Sequence, residues 1–152
     1  MNKLLLPLFL SLAAVTSCAT TAPPTASASS PAWITPEQAI LLAANAAPRG
    51  APGTFAMKVQ ATGTQNNQIY LNSQQDYRDQ RNLTVALTPS AAEQLRARLG
   101  ADPLTAMKGR TILVTGDAIR TKIYFVADGK MTDKYYYQTH VNVREAGQIV
   151  IE

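Results

Sequence analysis

The chain has 152 residues, with 14 Lys+Arg against 10 Asp+Glu, a formal charge of +4, one cysteine and one histidine. A lone cysteine excludes an internal disulfide, and the length fits one folded domain once a leader and a tether are set aside. The basic residues Arg78, Arg81, Arg96, Arg98, Lys108, Arg110, Arg120 and Lys122 are interleaved with acids and spread along the chain. A nucleic-acid protein usually gathers such charge into a stripe, so charge alone assigns no partner.

At the start, Lys3 precedes an apolar run from Leu4 to Val15, and Val15-Thr16-Ser17-Cys18 follows. The run is too short for a bilayer core, which takes about 20 residues. Its flanks suit a removable signal. The order resembles a bacterial lipoprotein signal, with Val15 standing where leucine is preferred. That resemblance implies cleavage before Cys18, acylation of its thiol by chains such as palmitate, and no free thiol in the mature protein. Several acyl chains, each contributing about 0.8 kcal/mol per buried methylene, make such an anchor durable. Ala19 resembles the pattern sorted to the outer membrane, facing the periplasm. Two other readings stay open: a plain secretory signal cut near Ala26-Ser27-Ala28, and a buried helix with Cys18 as a core thiol. The expected organisation is a signal at 1–17, a lipid-anchored tether at 18–32 and a folded domain at 33–152. From Ala19 to Ala32 the chain is almost entirely Ala, Thr, Ser and Pro without charge. It has too little apolar surface to offset the entropy of ordering, and it reads as a disordered spacer.

Thr35-Pro36-Glu37-Gln38 reads as a helix start, with a hydroxyl N-cap, proline at the first helical position and glutamine at the capping-box position. The helix continues through Ala47 until Pro48 and Gly50-Ala51-Pro52-Gly53 break it. Phe55, Met57, Val59 and Ala61 then alternate with Ala56, Lys58, Gln60 and Thr62, the period of a half-buried strand. Gly63 to Gln68 reads as a polar turn, Ile69 to Leu71 as a short strand, Asn72 to Asn82 as a polar loop and Leu83 to Leu87 as a third strand. Pro89 opens a helix that runs to Leu99, with Gly100 as its C-cap. A β-branched strand spans Arg110 to Ile119, where Gly116 marks a bulge or bend. Asp128-Gly129 sits in a polar loop, Tyr135 to Val143 forms a fifth strand, and Gln148 to Glu152 is a short extended piece.

Three strands, a helix and two strands form the order of an OB-fold, a five-stranded Greek-key barrel with a helix between strands three and four. The N-terminal helix is an addition at one end. The chain also resembles small exported bacterial OB-fold proteins of unassigned function. The resembling segments are ITPEQA (Ile34 to Ala39), IYLNSQQDYRDQRNLTVAL (Ile69 to Leu87), MKGRTILVTG (Met107 to Gly116) and QIVIE (Gln148 to Glu152). A departure from that pattern is a longer, charged loop expected from Val126 to Lys134. The resemblance implies nucleic-acid binding by fold analogy only.

His140 falls on the expected solvent side of the fifth strand with Tyr136, Gln138 and Asn142, opposite Tyr137, Thr139, Val141 and Val143. No serine stands in a nucleophile-elbow context to serve it, so a satisfied surface histidine is the plain reading. Asp76 and Asp79 are interleaved with Arg78 and Arg81, which favours a salt-bridged loop over a cation site. Tyrosines 70, 77, 124 and 135–137, with Lys58, Arg78, Arg120, Lys122 and Lys134, could build a stacking groove. Tyrosine is also simply a good strand former. The reading from sequence is a non-enzymatic binding module without metal or cofactor. Its partner is a protein, peptide or glycan, with single-stranded nucleic acid as the alternative. Its groove candidates are Tyr70, Tyr77, Arg78, Arg120, Lys122, Tyr136 and His140.

Overall fold

The computed structural model describes residues 33–152. The expected signal, Cys18 and the tether lie outside the described residues. Pro31–Glu152 form one compact unit.

Helix α1 (Pro36–Ala46) starts with the capping box read from sequence. The Gln38 N–H donates to Thr35 Oγ1 at 3.3 Å, and the Thr35 N–H donates to Gln38 Oε1 at 2.9 Å. Its inner face is made of Ala39 and Ala43, both fully buried, and these small side chains let the helix sit close on the sheet. Strands β1 (Ala51–Lys58), β2 (Ala61–Gln65), β3 (Gln68–Asn72) and β4 (Leu83–Leu87) follow. Helices α2 (Pro89–Leu99) and α3 (Pro103–Ala106) lead to β5 (Thr111–Ala127) and β6 (Lys130–Val143), and a 3-10 turn to β7 (Ile149–Ile151).

The strands make one mixed sheet in the order β1-β5-β6-β4-β3-β2, with β7 pairing β5. All pairings are antiparallel except β4 with β6. No ladder joins β1 to β2, so the closed five-stranded barrel expected from sequence is corrected to an open mixed sheet of seven strands. The two end strands are nonetheless neighbours in the chain, joined by Val59 and Gln60. The Val59 N–H donates to Arg110 O, the Gly109 N–H to Val59 O and the Gln60 N–H to Asn72 O, each at 2.8 Å. The sheet therefore curls until its two edges meet at this corner. Gly109 turns into β5 at φ +82, a conformation that suits glycine.

Three further expectations change. The first strand begins at Ala51 despite Pro52. Its side away from β5 pairs only with Ile34, at Phe55, so Pro52 stands on an edge, where a proline is tolerated. The expected turn at Gly63 to Gln68 is mostly strand: β2 and β3 join through Asn66 and Asn67 alone, at φ 51 and 63. Positive φ at both central residues is the hairpin geometry that follows the right-handed strand twist. Likewise, the expected long loop from Val126 to Lys134 is a hairpin closed by Asp128 and Gly129, at φ 51 and 70. The last two long strands thus outrun the sheet. β1 and β7 partner β5 no further than Ala118, and β4 partners β6 no earlier than Thr139. Residues 119–138 have no ladder partner outside β5 and β6 and form a two-stranded arm. At 3.3–3.4 Å per residue it reaches roughly 25–30 Å.

The core lies between the curled sheet and α2, built on Phe55, Leu71, Leu83, Val85, Leu87, Leu95, Ile112, Val114 and Val141. All five residues of β4 are buried, as suits a continuous apolar run with strands on both sides. Thr88 caps α2, accepting from the Ala91 N–H at 3.2 Å, and Gly100 ends it at φ 65, as read from sequence. Arg98 then donates to Ala146 O and Ile149 O, both at 3.0 Å, and clamps the C-terminal strand onto the helix. Leu87 is fully buried at the end of β4. Leu87→Ala is expected to lower unfolding free energy by about 2–5 kcal/mol in a urea titration, because it leaves a cavity where the core cannot collapse.

Candidate ligand groove

A groove of about 700 Å³ opens between the end of β2, β3, β4, the loop after β3 and the arm. Its loop wall is held by a buried polar knot. The Asn82 amide nitrogen donates to Asn72 Oδ1 at 3.1 Å, Thr84 Oγ1 at 2.9 Å and Tyr77 O at 3.4 Å. Its oxygen accepts from the Gln74 N–H at 3.0 Å and Ser73 Oγ at 3.4 Å. Every donor and acceptor of the amide is satisfied, so the 72–82 loop is fixed to the first residues of β4.

That fixed loop presents Tyr77 and Arg78. The Arg78 guanidinium lies 5.0 Å from the centre of the Tyr77 ring. Further along, Arg81 grips Asp79 through Nε (3.1 Å) and Nη2 (2.8 Å), and this bond holds the Asp79 carboxyl down at about 2. Asp76 Oδ1 accepts from the Arg78 N–H at 2.9 Å. These contacts give the loop its shape, and neither carboxylate lines the groove.

Tyr70, Asn72, Thr84, Gln138 and His140 make the floor. The Gln138 amide nitrogen donates to Tyr77 O at 3.2 Å and to Tyr136 Oη at 2.9 Å, so its oxygen faces His140 Nε2 at 2.7 Å. A carbonyl can only accept, which sets the Gln138 orientation and places the imidazole proton on Nε2. Tyr70 meets the His140 ring edge-on at 6.4 Å. Burial lowers the imidazole from its ordinary 6.5 to about 4, so it is neutral at physiological pH. The surface histidine expected from sequence is therefore corrected to a half-buried floor residue. Ile123, Phe125 and Val126 of the arm form the far wall, and Gly63, Thr64 and Gln65 of β2 the near one.

Five of the seven sequence candidates meet in this groove: Tyr70, Tyr77, Arg78, Tyr136 and His140. Arg120 and Lys122 do not. Lys122 stands opposite Tyr137 in the β5–β6 register, and Arg120 opposite Thr139, which puts both on the other face of the arm. There the Arg120 guanidinium stacks 3.8 Å above the Tyr137 ring, and Lys122 Nζ lies 4.4 Å above Tyr135. Arg120 lines a separate cleft of about 350 Å³, shared with Ile40 and Ala44 of α1 and Tyr135 to Tyr137. Two-residue alternation separates Tyr136 from its neighbours on either side, as expected along the fifth strand, and the register then carries Arg120 and Lys122 to the side of Tyr135 and Tyr137. Sequence reasoning missed Asn72, Thr84, Phe125 and Gly63. A threonine inside an otherwise apolar LTVAL strand was the available signal for the floor.

The groove lining holds one imidazole and no carboxylate, cysteine or serine. Among the described residues no cluster of His, Cys, Asp or Glu has the arrangement of a metal site. What the groove offers is hydrogen bonding and ring stacking.

No family model and no curated protein matches the chain. Among solved structures, a chain assigned as aspartyl-tRNA synthetase from Leishmania major Friedlin superimposes with a TM-score of 0.42 and 9% identity. The alignment covers 86% of this chain and 23% of that one. Aspartyl tRNA synthetase from Entamoeba histolytica gives a TM-score of 0.39 and 11% identity, covering 72% of this chain and 20% of that one. This chain thus spans about a quarter or less of the length of either synthetase.

Neutral His140 sets a pH dependence. Above pH 6.5 the imidazole is uncharged in both folded and unfolded chains and adds no slope. Below that, the unfolded chain takes up a proton that the folded chain resists until about 4, so stability falls through this window. The loss is expected to reach up to roughly 3 kcal/mol. His140→Gln should flatten that part of the curve, measured by urea unfolding across the same pH range.

Proposed function

We propose that the folded unit is a non-catalytic, OB-type binding module whose groove holds an extended protein, peptide or glycan segment, carried in the cell envelope on a lipidated Cys18. The strand path supports the OB-type part of this reading. β1 and β2 follow each other as one bent first strand, β4 runs parallel to β6, and α2 connects β4 to β5. OB-folds bind oligonucleotides and oligosaccharides on their second and third strands and the loops beside them. The matching elements, β3 and β4 with the end of β2 and the arm beside them, border the groove.

The observation that carries the choice of partner is the lining. Tyr70, Tyr77 and Tyr136 stand beside amides, hydroxyls and an uncharged imidazole, and Arg78 is the single cation. Such a surface suits a neutral chain with polar groups and apolar faces. A second reading, single-stranded nucleic acid, is favoured by the arm's outer face, where Arg120 and Lys122 stack on Tyr137 and Tyr135. The two differ in salt response, since phosphate binding releases counterions and weakens steeply as salt rises. Binding in the groove should be nearly insensitive to salt.

Gly63 stands opposite Tyr70, and a side-chain carbon added there meets nothing within 4 Å. Gly63→Phe should therefore block the groove without disturbing the fold. On an array of peptides and glycans, this variant, Tyr70→Ala and Tyr136→Ala are each expected to weaken the bound ligand about tenfold, the scale of one lost stacking contact. Arg120→Ala should leave it unchanged. The groove reading fails if the tyrosine variants keep full binding to every ligand detected.

Lys3, the run Leu4 to Val15 and Cys18 support the anchor. Cys18→Ser is expected to abolish labelling by a fatty-acid probe and to accumulate unprocessed precursor; unchanged labelling would overturn it.

A further inference from the structure

Among the described residues the end of the arm is largely uncovered, although it is apolar. Val126 and Met131 are cross-strand partners and are 66% and 71% exposed, with Phe125 beside them at 46%. Behind this tip stand the partly exposed rings of Tyr124, Tyr135 and Tyr137. The arm's twenty residues, 119–138, carry Arg120, Lys122, Lys130 and Lys134 against Asp128 and Asp133, a net of +2 out of +4 for the whole chain. A free two-stranded hairpin is marginal in water, so an exposed apolar end on one is costly unless something covers it.

We propose that the arm is a membrane-contact element that docks on an anionic phospholipid surface. Aliphatic side chains at the end, aromatic rings behind them and cations around both form the sequence of layers that matches a bilayer interface. The lysines face the headgroups while Phe125, Val126 and Met131 enter the acyl boundary. Val126 and Met131 offer nothing for a nucleobase to stack on, and Lys122 and Arg120 already lie over the Tyr135 and Tyr137 rings. A lipid surface therefore fits better than a nucleic acid. Asp128 opposes the docking, but its place is explained by the turn: it sits at φ 51 beside Gly129, a position that asparagine fills equally well.

The proposal rests neither on Cys18 nor on what fills the groove. It is tested with residues 31–152, the compact unit that holds the seven strands of the described residues and the core. The measurement is co-sedimentation with vesicles of equal parts phosphatidylglycerol and phosphatidylcholine, and with phosphatidylcholine alone. The unit should sediment with the anionic vesicles and be released by salt. Lys130→Ala and Lys134→Ala should each lower partitioning about fivefold, as expected per cation near such a surface. Met131→Ser should lower it about tenfold, and Asp128→Asn should raise it about fivefold. None of these four residues lines the groove, and all are exposed apart from the turn geometry that Asn preserves, so thermal melts should not move. Gly63→Phe should leave vesicle binding intact, which separates this proposal from the groove reading. Equal sedimentation with both vesicle types, no sedimentation with either, or insensitivity to all four substitutions would overturn it. So would arm-dependent binding of oligothymidylate without vesicle binding, which would assign the arm to nucleic acid.

Discussion

The Asn82 carboxamide is almost wholly removed from water, so each of its polar positions must find a partner inside the protein. It does so by joining Asn72 at the end of β3, Thr84 inside β4 and the Tyr77 carbonyl in the loop between them. Losing any one partner leaves a buried donor or acceptor unpaired, at a cost of about 1–3 kcal/mol. That penalty locks the loop in one shape. The same loop offers the Tyr77 carbonyl to Gln138, which turns its oxygen to His140. A chain of amides thus runs from the core, through the loop wall, to the groove floor and the base of the arm.

The arm is held by different physics. It has no third strand and little buried surface, and cross-strand ring contacts stand in for a core. Tyr124 meets Tyr135 at 6.0 Å, Phe125 meets Tyr136 at 5.3 Å and Tyr135 meets Tyr137 at 5.5 Å. Lys122 and Arg120 cover the outer rings and shield their faces from water. The groove is therefore bounded by a rigid loop on one side and by a thin ribbon of aromatic pairs on the other. Local opening is expected to start in the ribbon, which has the fewest buried apolar contacts.

The parts of the fold that follow from periodicity were legible in the residues. The capping box at Thr35, the β4 strand from Leu83 to Leu87 and the α2 helix closed by Gly100 all stand where the sequence put them. The arm was not, because its tip is exposed on both faces and the return strand from Lys130 to Tyr137 lacks the alternation that Ile119-Arg120-Thr121-Lys122-Ile123 shows. Asn66-Asn67 hid a hairpin for a related reason: β2 is an edge of Ala, Thr, Gly and Gln without an apolar face. At the site, the two sides of β6 were readable from alternation, but the register that sets Arg120 and Lys122 against it was not. Tyr136 and Tyr137 are adjacent in sequence and stand on opposite faces, so Arg120 and Lys122 parted from the groove once register was known. Asn72 was illegible as a floor residue because its role depends on Asn82, which reaches it only through the closed loop.

Tyr136 borders the groove and is also among the residues of the smaller cleft against α1. Alternation sets it with Gln138 and His140 on the groove side, while its neighbours Tyr135 and Tyr137 stand on the cleft side, so one strand is the wall between the two spaces. A guest of one space that shifts this strand also reshapes the other, and by thermodynamic reciprocity two such guests alter each other's affinity by the same factor.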